Sequence, residues 1–206
     1  MWGYEAMNTA LILDRDGVIN EDHGYVHRKE DVVFIEGIFD LSRAARDFGM
    51  RLIVVTNQAG IGRQYYSENN FQILSAWMRG EFLREGIRID RIYHCPYHPI
   101  HGIGQYRQDS FDRKPNPGMI LAAKRDFALD LAASVLVGDR ESDIEAGARA
   151  GVGATVLFDP AGKRLASACS TRVRNLRDII PLLCAHRNAR VLGGRTPDRF
   201  EEDELA

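Results

Sequence analysis

Short apolar runs alternate with stretches in which apolar residues recur every three or four positions. The runs are Ala10–Leu13, Leu52–Val55, Ile89–Tyr93, Ala133–Val137 and Ala154–Phe158. They are rich in Ile, Val and Leu and do not alternate with polar residues, which predicts strands buried on both faces. Between them, Ile38, Leu41, Ala45 and Phe48 share a helix face that ends at Gly49. Phe71, Leu74 and Met78 mark a second helix, with Ser67 as its N-cap and Gly86 as its stop. Asn116-Pro117 reads as a cap followed by proline in the first turn of a third helix running toward Phe127. Strands alternating with helices predict an α/β fold with a doubly wound, mainly parallel sheet.

Composition narrows the class. The 206 residues suffice for one full hydrophobic core, and 45% of them are apolar. Residues 9–188 are expected to form that domain, with 1–8 as an N-terminal extension. Residues 189–206, with Gly193-Gly194 and the acidic run Glu201–Glu204, are expected to be a flexible tail. Lys and Arg total 27 against 29 Asp and Glu, so no overall charge favours nucleic acid or a membrane surface. No run approaches the roughly 20 apolar residues of a membrane span. No basic segment precedes an apolar one at the start, which argues against a secretory signal. Three widely spaced cysteines, Cys95, Cys169 and Cys184, suit a reducing cytoplasm better than a disulfide framework. A monomer is the default expectation.

The chemistry gathers at strand ends, where open α/β sheets bind ligands. The first strand runs into Asp14-Arg15-Asp16-Gly17, the second into Thr56-Asn57-Gln58, and the strand near 135 into Gly138-Asp139-Arg140 with Asp143 beyond. Arg113-Lys114 sits between the last two. Asp14 and Asp139 offer the hard oxygens that magnesium prefers, a backbone carbonyl near Asp16 a third, and Asp143 could orient a coordinated water. Lys114 would offset the carboxylates and keep Asp14 ionised as a nucleophile. Thr56 and the amides after it could donate to a transferring phosphoryl group. Each piece alone reads more simply as a turn, a cap or a solvated pair. Their occurrence at three strand ends in this order favours chemistry.

These residues resemble the haloacid dehalogenase superfamily: an Asp-x-Asp after a strand (Asp14, Asp16), a strand ending in Ser or Thr (Thr56), a basic residue (Lys114) and an acidic pair (Asp139, Asp143). The segments LDRDGVIN, DHGYV, VVTNQAGIGR, RKPNPGM and VGDRESD are similar to its heptose bisphosphate phosphatases, and histidinol-phosphate phosphatases share the architecture. The resemblance implies a magnesium-dependent phosphatase without a large cap domain, acting on the C7 phosphate of a small phosphorylated heptose in making surface-polysaccharide precursors. It implies that Asp14 attacks the phosphate and that Asp16 protonates the leaving oxygen and then activates water. Thr56, Arg113 and Lys114 would stabilise the phosphoryl group, and Asp22, His23, Gly24, Tyr25, Asn57, Gln58 and Arg63 would contact the substrate. A histidinol-phosphate or other phosphomonoester phosphatase, and a non-catalytic phosphosugar-binding protein, remain alternatives. The second of these is disfavoured by the intact Asp14, Asp16, Lys114 and Asp139.

One part of the family pattern is broken. Such phosphatases commonly carry a zinc loop, Cys-x-His followed later by Cys-x-Cys before Arg-Lys. Here Cys95 is retained, while Tyr97, Ser110 and Asp112 take the other three ligand positions. A rebuilt site from Cys95, His98, His101 and Asp112 would need another loop geometry. The expectation is no zinc, with His98 and His101 as surface residues.

Overall fold

The computed structural model describes residues 8–163, 169 and 171–185. The six strands form one sheet in the order β3-β2-β1-β4-β5-β6, parallel throughout. They are β1 (Ala10–Leu13), β2 (Arg51–Asn57), β3 (Arg91–Cys95), β4 (Val135–Gly138), β5 (Ala154–Phe158) and β6 (Thr171–Val173). Helices among the described residues include α1 (Ile38–Asp47), α2 (Ala59–Gly62), α3 (Glu68–Arg84), α4 (Gly118–Phe127) and α5 (Glu141–Ala150).

Alternate β1 side chains face opposite ways, as the pleat requires. Leu11 and Leu13 pack with Ile38 and Leu41 of α1 and Met78 and Phe82 of α3. Ala10 and Ile12 pack with Met119 and Ile120 of α4 and Ala146 of α5. Both faces are therefore covered, and all four β1 residues are fully buried. The connections at 14–37 and 96–117 remain loops with short turns, and neither builds a cap domain.

Several boundaries follow the sequence pattern. Ser67 caps α3 by accepting from the Asn70 amide at 3.1 Å, and Gly49 and Gly86 take positive φ past the ends of α1 and α3. Three expectations need correction. β3 starts at Arg91 rather than Ile89, because the Asp90 carboxylate is spent on the Leu52 amide (3.0 Å) and on Arg51 (3.1 Å), while Ile89 fills the core. β4 starts at Val135 because Leu131–Ala133 is a 3-10 turn capped by the Asp130 carboxylate. α4 has Pro117 at its N-cap position and no side-chain cap, since the Asn116 side chain donates to the Ser110 carbonyl at 3.0 Å. The expected tail from 189, and residues 1–7 of the N-terminal extension, lie outside the described residues. No helix among the described residues is long and apolar enough to cross a membrane.

Candidate active site

The strand order reverses on either side of β1, so the crevice for a ligand opens beyond the carboxyl ends of β1, β2 and β4. A cleft of about 600 Å³ lies there. Asp14 leaves β1 into it, with its amide held by the Val137 carbonyl at 3.0 Å. Asp139 follows β4, and Asp143 comes from the first turn of α5. Acceptor atoms of Asp14, Asp139 and Asp143 lie within 4.8 Å of one another, and all three residues are buried.

Two glycines permit this crowding. A Cβ on Gly17 would come within 2.3 Å of an Asp139 carboxylate oxygen, and Gly17 also takes a φ of +91°. A Cβ on Gly138 would stand 2.1 Å from the Cβ of Asp143. Bulk at either position would displace a carboxylate.

The charges do not balance. Lys114, reaching in from the loop before α4, meets Asp14 at 2.9 Å and Asp143 at 2.6 Å, and donates its remaining proton to the Val55 carbonyl at 2.9 Å. Burial works against its ammonium, yet Asp14 and Asp143 outweigh that and hold it protonated above its ordinary range. All three of its donors are committed, so it can act on a phosphoryl group through charge but has no spare hydrogen bond. Burial pushes the Asp14 carboxyl up to about 8; Lys114 opposes this, and Asp143 and Asp139 add to it. The sequence reading that Lys114 keeps Asp14 ionised is therefore incomplete. The contact exists, but Lys114 and an Arg140 shared with Asp22 leave the three buried carboxylates short of positive charge, a deficit that a divalent cation fits. The all-oxygen donor set suits magnesium.

Asp16 stands apart from that cluster, so only its backbone remains a candidate ligand. Its Oδ1 accepts from Arg15 and Asn20, and its Oδ2 from Arg15 and from Gln58 Nε2 at 3.0 Å. Thr56 Oγ1 accepts from the same Gln58 nitrogen at 2.8 Å, leaving its own proton for another acceptor. The Gln58 amide N–H is bound to the Cys95 carbonyl and is not available to a phosphate, contrary to expectation.

Of the expected substrate residues, Asp22, Gly24, Tyr25, Asn57, Gln58 and Arg63 line the cleft, as does Arg113, expected at the phosphoryl group. Asp22 is already engaged, accepting from the Gly24 amide at 2.9 Å and from Arg140 at 2.6 Å, so it shapes its loop. Asn57 clasps the Lys114 backbone through two 3.0 Å bonds. His23 lies outside the cleft lining, exposed beside Glu21.

Sequence reasoning missed three residues. Arg15 is buried, gripping Asp16 and the Val26 carbonyl. Tyr66 and Arg140 line the cleft. Arg15 and Arg140 sit inside the quoted motifs, whereas nothing in the local pattern marks Tyr66.

The zinc-loop positions are held by hydrogen bonds and ring contacts. Arg113 donates to the Tyr97 carbonyl at 3.1 Å, and the His98 amide to the Tyr106 carbonyl at 3.1 Å. The His98 and His101 rings meet at 4.7 Å. Among the described residues, the Asp14 cluster is the one group of three or more metal-ligand types gathered this closely.

An acidic cluster around one buried lysine beyond the reversal point of a parallel sheet defines a HAD-type phosphatase site, and the comparisons agree. The HAD-hydrolase-like family model matches residues 111–164. The chain belongs to the haloacid dehalogenase superfamily and is a phosphoric monoester hydrolase. It is 62% identical over 177 residues to the D-glycero-alpha-D-manno-heptose-1,7-bisphosphate 7-phosphatase of Burkholderia mallei, covering 85% of this chain and 94% of that one. It is 49% identical to the beta-anomer enzyme of Vibrio cholerae over 72% of this chain and 80% of that one. Among solved structures, a HAD-like phosphatase from Mesorhizobium loti superposes with a TM-score of 0.79 at 32% identity, over 91% of each chain. The D,D-heptose 1,7-bisphosphate phosphatase of B. bronchiseptica, complexed with magnesium and phosphate, gives 0.74 at 25% identity, over 86% of this chain and 98% of that one.

Proposed function

We propose that the protein hydrolyses the C7 phosphate of D-glycero-D-manno-heptose 1,7-bisphosphate through an aspartyl-phosphate on Asp14, with magnesium, in the cytoplasmic supply of heptose for surface polysaccharide. The observation that carries the reading is the composition of one cleft. It joins Asp14, Asp143 and Lys114 to Arg63 and Arg113, two cations in no salt bridge among the described residues and so open to a second phosphate. Arg63 Nε is buried with no hydrogen-bond partner among the described residues, a donor suited to the second phosphate. The 62% identity to an alpha-anomer enzyme supports the alpha-linked C1 phosphate as the preferred form.

In the first step an Asp14 carboxylate oxygen attacks phosphorus, the bond to the C7 oxygen breaks, and Asp16 gives that oxygen its proton. In the second, Asp16 takes a proton from water, the water oxygen bonds to phosphorus, and the bond to Asp14 breaks to release phosphate. Lys114 neutralises part of the charge throughout, and Thr56 donates to a phosphoryl oxygen. Magnesium, held by Asp14, Asp139 and the Asp16 backbone with Asp143 beside them, would neutralise negative charge on the phosphoryl group and keep Asp14 ionised.

The test is a magnesium-supplemented substrate panel: heptose 1,7-bisphosphate of either anomer, histidinol phosphate and simple phosphomonoesters. Turnover of the alpha bisphosphate well above the others is the expected result. Preference for histidinol phosphate would overturn the substrate, and failure of every phosphomonoester would overturn the reaction.

A further inference from the structure

Tyr66 carries no role in the chemistry above, yet the fold is built around its ring. It is 7% exposed, in the turn between α2 and the Ser67 cap of α3. The His27 imidazole lies flat on it, centroids 4.9 Å apart and planes 5° from parallel. On another side is Gly60, where an added Cβ would fall 2.2 Å from Tyr66 Cε1. Its hydroxyl donates to Gln58 Oε1 at 2.5 Å.

That bond determines which way the Gln58 amide faces. Gln58 is 1% exposed, and its Nε2 donates to Asp16 Oδ2 (3.0 Å) and to Thr56 Oγ1 (2.8 Å). Turned over, the amide would set its carbonyl oxygen against the Asp16 carboxylate, lone pair against lone pair. With the hydroxyl anchoring Oε1, the donor end must face Asp16. The two Asp16 oxygens are not equivalent. Oδ1 receives N–H groups from Arg15 Nε, Arg15 Nη2 and Asn20, whereas Oδ2 receives Arg15 Nη2 and Gln58 alone. Oδ2 thus keeps more free acceptor capacity, and Gln58 fixes its direction.

We propose that Tyr66 is a positioning residue for proton transfer: through Gln58 it aims Oδ2 of Asp16 at the leaving-group oxygen. The proposal rests on the acid–base reading of Asp16. It requires that losing the Tyr66 hydroxyl should hurt only when the leaving oxygen needs a proton. An alkyl phosphate such as heptose bisphosphate needs one, whereas 4-nitrophenolate departs without it.

The experiment compares kcat/KM, which covers steps through cleavage of the substrate P–O bond, for both substrates in Tyr66→Phe, Gln58→Ala, the double variant and Asp16→Asn, each checked for folding by thermal melting. For Tyr66→Phe we expect about a tenfold loss on heptose bisphosphate, part of the roughly 10² that a positioned acid supplies, and a change within about twofold on 4-nitrophenyl phosphate. Gln58→Ala also releases Thr56 and should slow both substrates, heptose bisphosphate the more, and Tyr66→Phe should add nothing to that discrimination. Equal loss on both substrates, or an undiminished Tyr66→Phe effect in the Gln58→Ala background, would overturn the proposal. If Asp16→Asn discriminates between the substrates and Tyr66→Phe does not, only the role of Tyr66 falls. If Asp16→Asn does not discriminate, the acid–base reading falls and this proposal with it.

Discussion

The floor of the cleft and the loop at its rim are built on opposite principles. On the floor, Asp14, Lys114, Asp139 and Asp143 are at most 7% exposed and come from widely separated segments. Lys114 meets Asp14 at 2.9 Å and Asp143 at 2.6 Å with Asp139 beside them, so losing the lysine leaves buried carboxylates uncompensated. The rim, residues 95–113, departs from the zinc-binding pattern at three positions and still holds its shape. Its closure uses backbone groups: the Ile103 amide to the Gly62 carbonyl at 2.8 Å, the Gly102 amide to the His98 carbonyl at 3.1 Å, and the His98 amide to the Tyr106 carbonyl at 3.1 Å. Backbone hydrogen bonds tolerate changes of side chain, whereas a buried charge cluster does not.

The sharpest way to break that contrast is at Asp14. Asp14→Asn is expected to lower phosphate release by at least about 10⁴-fold while circular dichroism shows an intact fold. Appreciable residual turnover would remove Asp14 as nucleophile. Chelation should likewise abolish activity and added magnesium restore it, with a rise in melting temperature on readdition that reports filling of the carboxylate cluster. Lys114→Met should cost about 3–5 kcal/mol in urea melts without magnesium, because Asp14 and Asp143 lose the ammonium they both contact, and less with magnesium present. A cost below about 1 kcal/mol would mean that the cluster is not electrostatically coupled.

Effects at the rim should be smaller and of another kind. Arg113→Ala should raise KM about tenfold or somewhat more and leave kcat near its original value, the loss of one charged hydrogen bond to the substrate. An equal fall in kcat would move Arg113 into the reacting centre. Elemental analysis of protein purified without chelator should find no stoichiometric zinc, and His101→Ala should change stability by no more than about 0.5 kcal/mol. Near one zinc per chain would show the rim to be a rebuilt metal site and erase the contrast.

What could be read in the chain differs by element. β1 and β5 coincide with their apolar runs, because buried parallel strands need unbroken Ile, Val and Leu. α3 coincides with its Ser67 cap because that signal is local. β3 slipped by two residues because Asp90 is captured by β2, a partner that no local window contains. β6, α2 and α5 were not anticipated: β6 is only three residues long, and α2 and α5 lack an apolar stripe that stands out. The same division runs through the site. Asp14, Thr56 and Asp139 were recognisable because they stand at strand ends, Asp16 and Asp143 because they follow within a turn, and Lys114 because it fits the order of the motifs.

The order of strand, acid, strand, threonine, lysine, strand and acid was enough to identify the class of protein and the residues of its floor, since each of those features depends on residue type and position in the chain. The tertiary structure decided how they act on one another. It exhausted the donors of Lys114, left a charge deficit that calls for a cation, took the Gln58 amide N–H for Cys95, and set Tyr66 behind Gln58. Those outcomes depend on distances between residues far apart in sequence and on the loss of solvent around them, and neither quantity exists until the chain has folded.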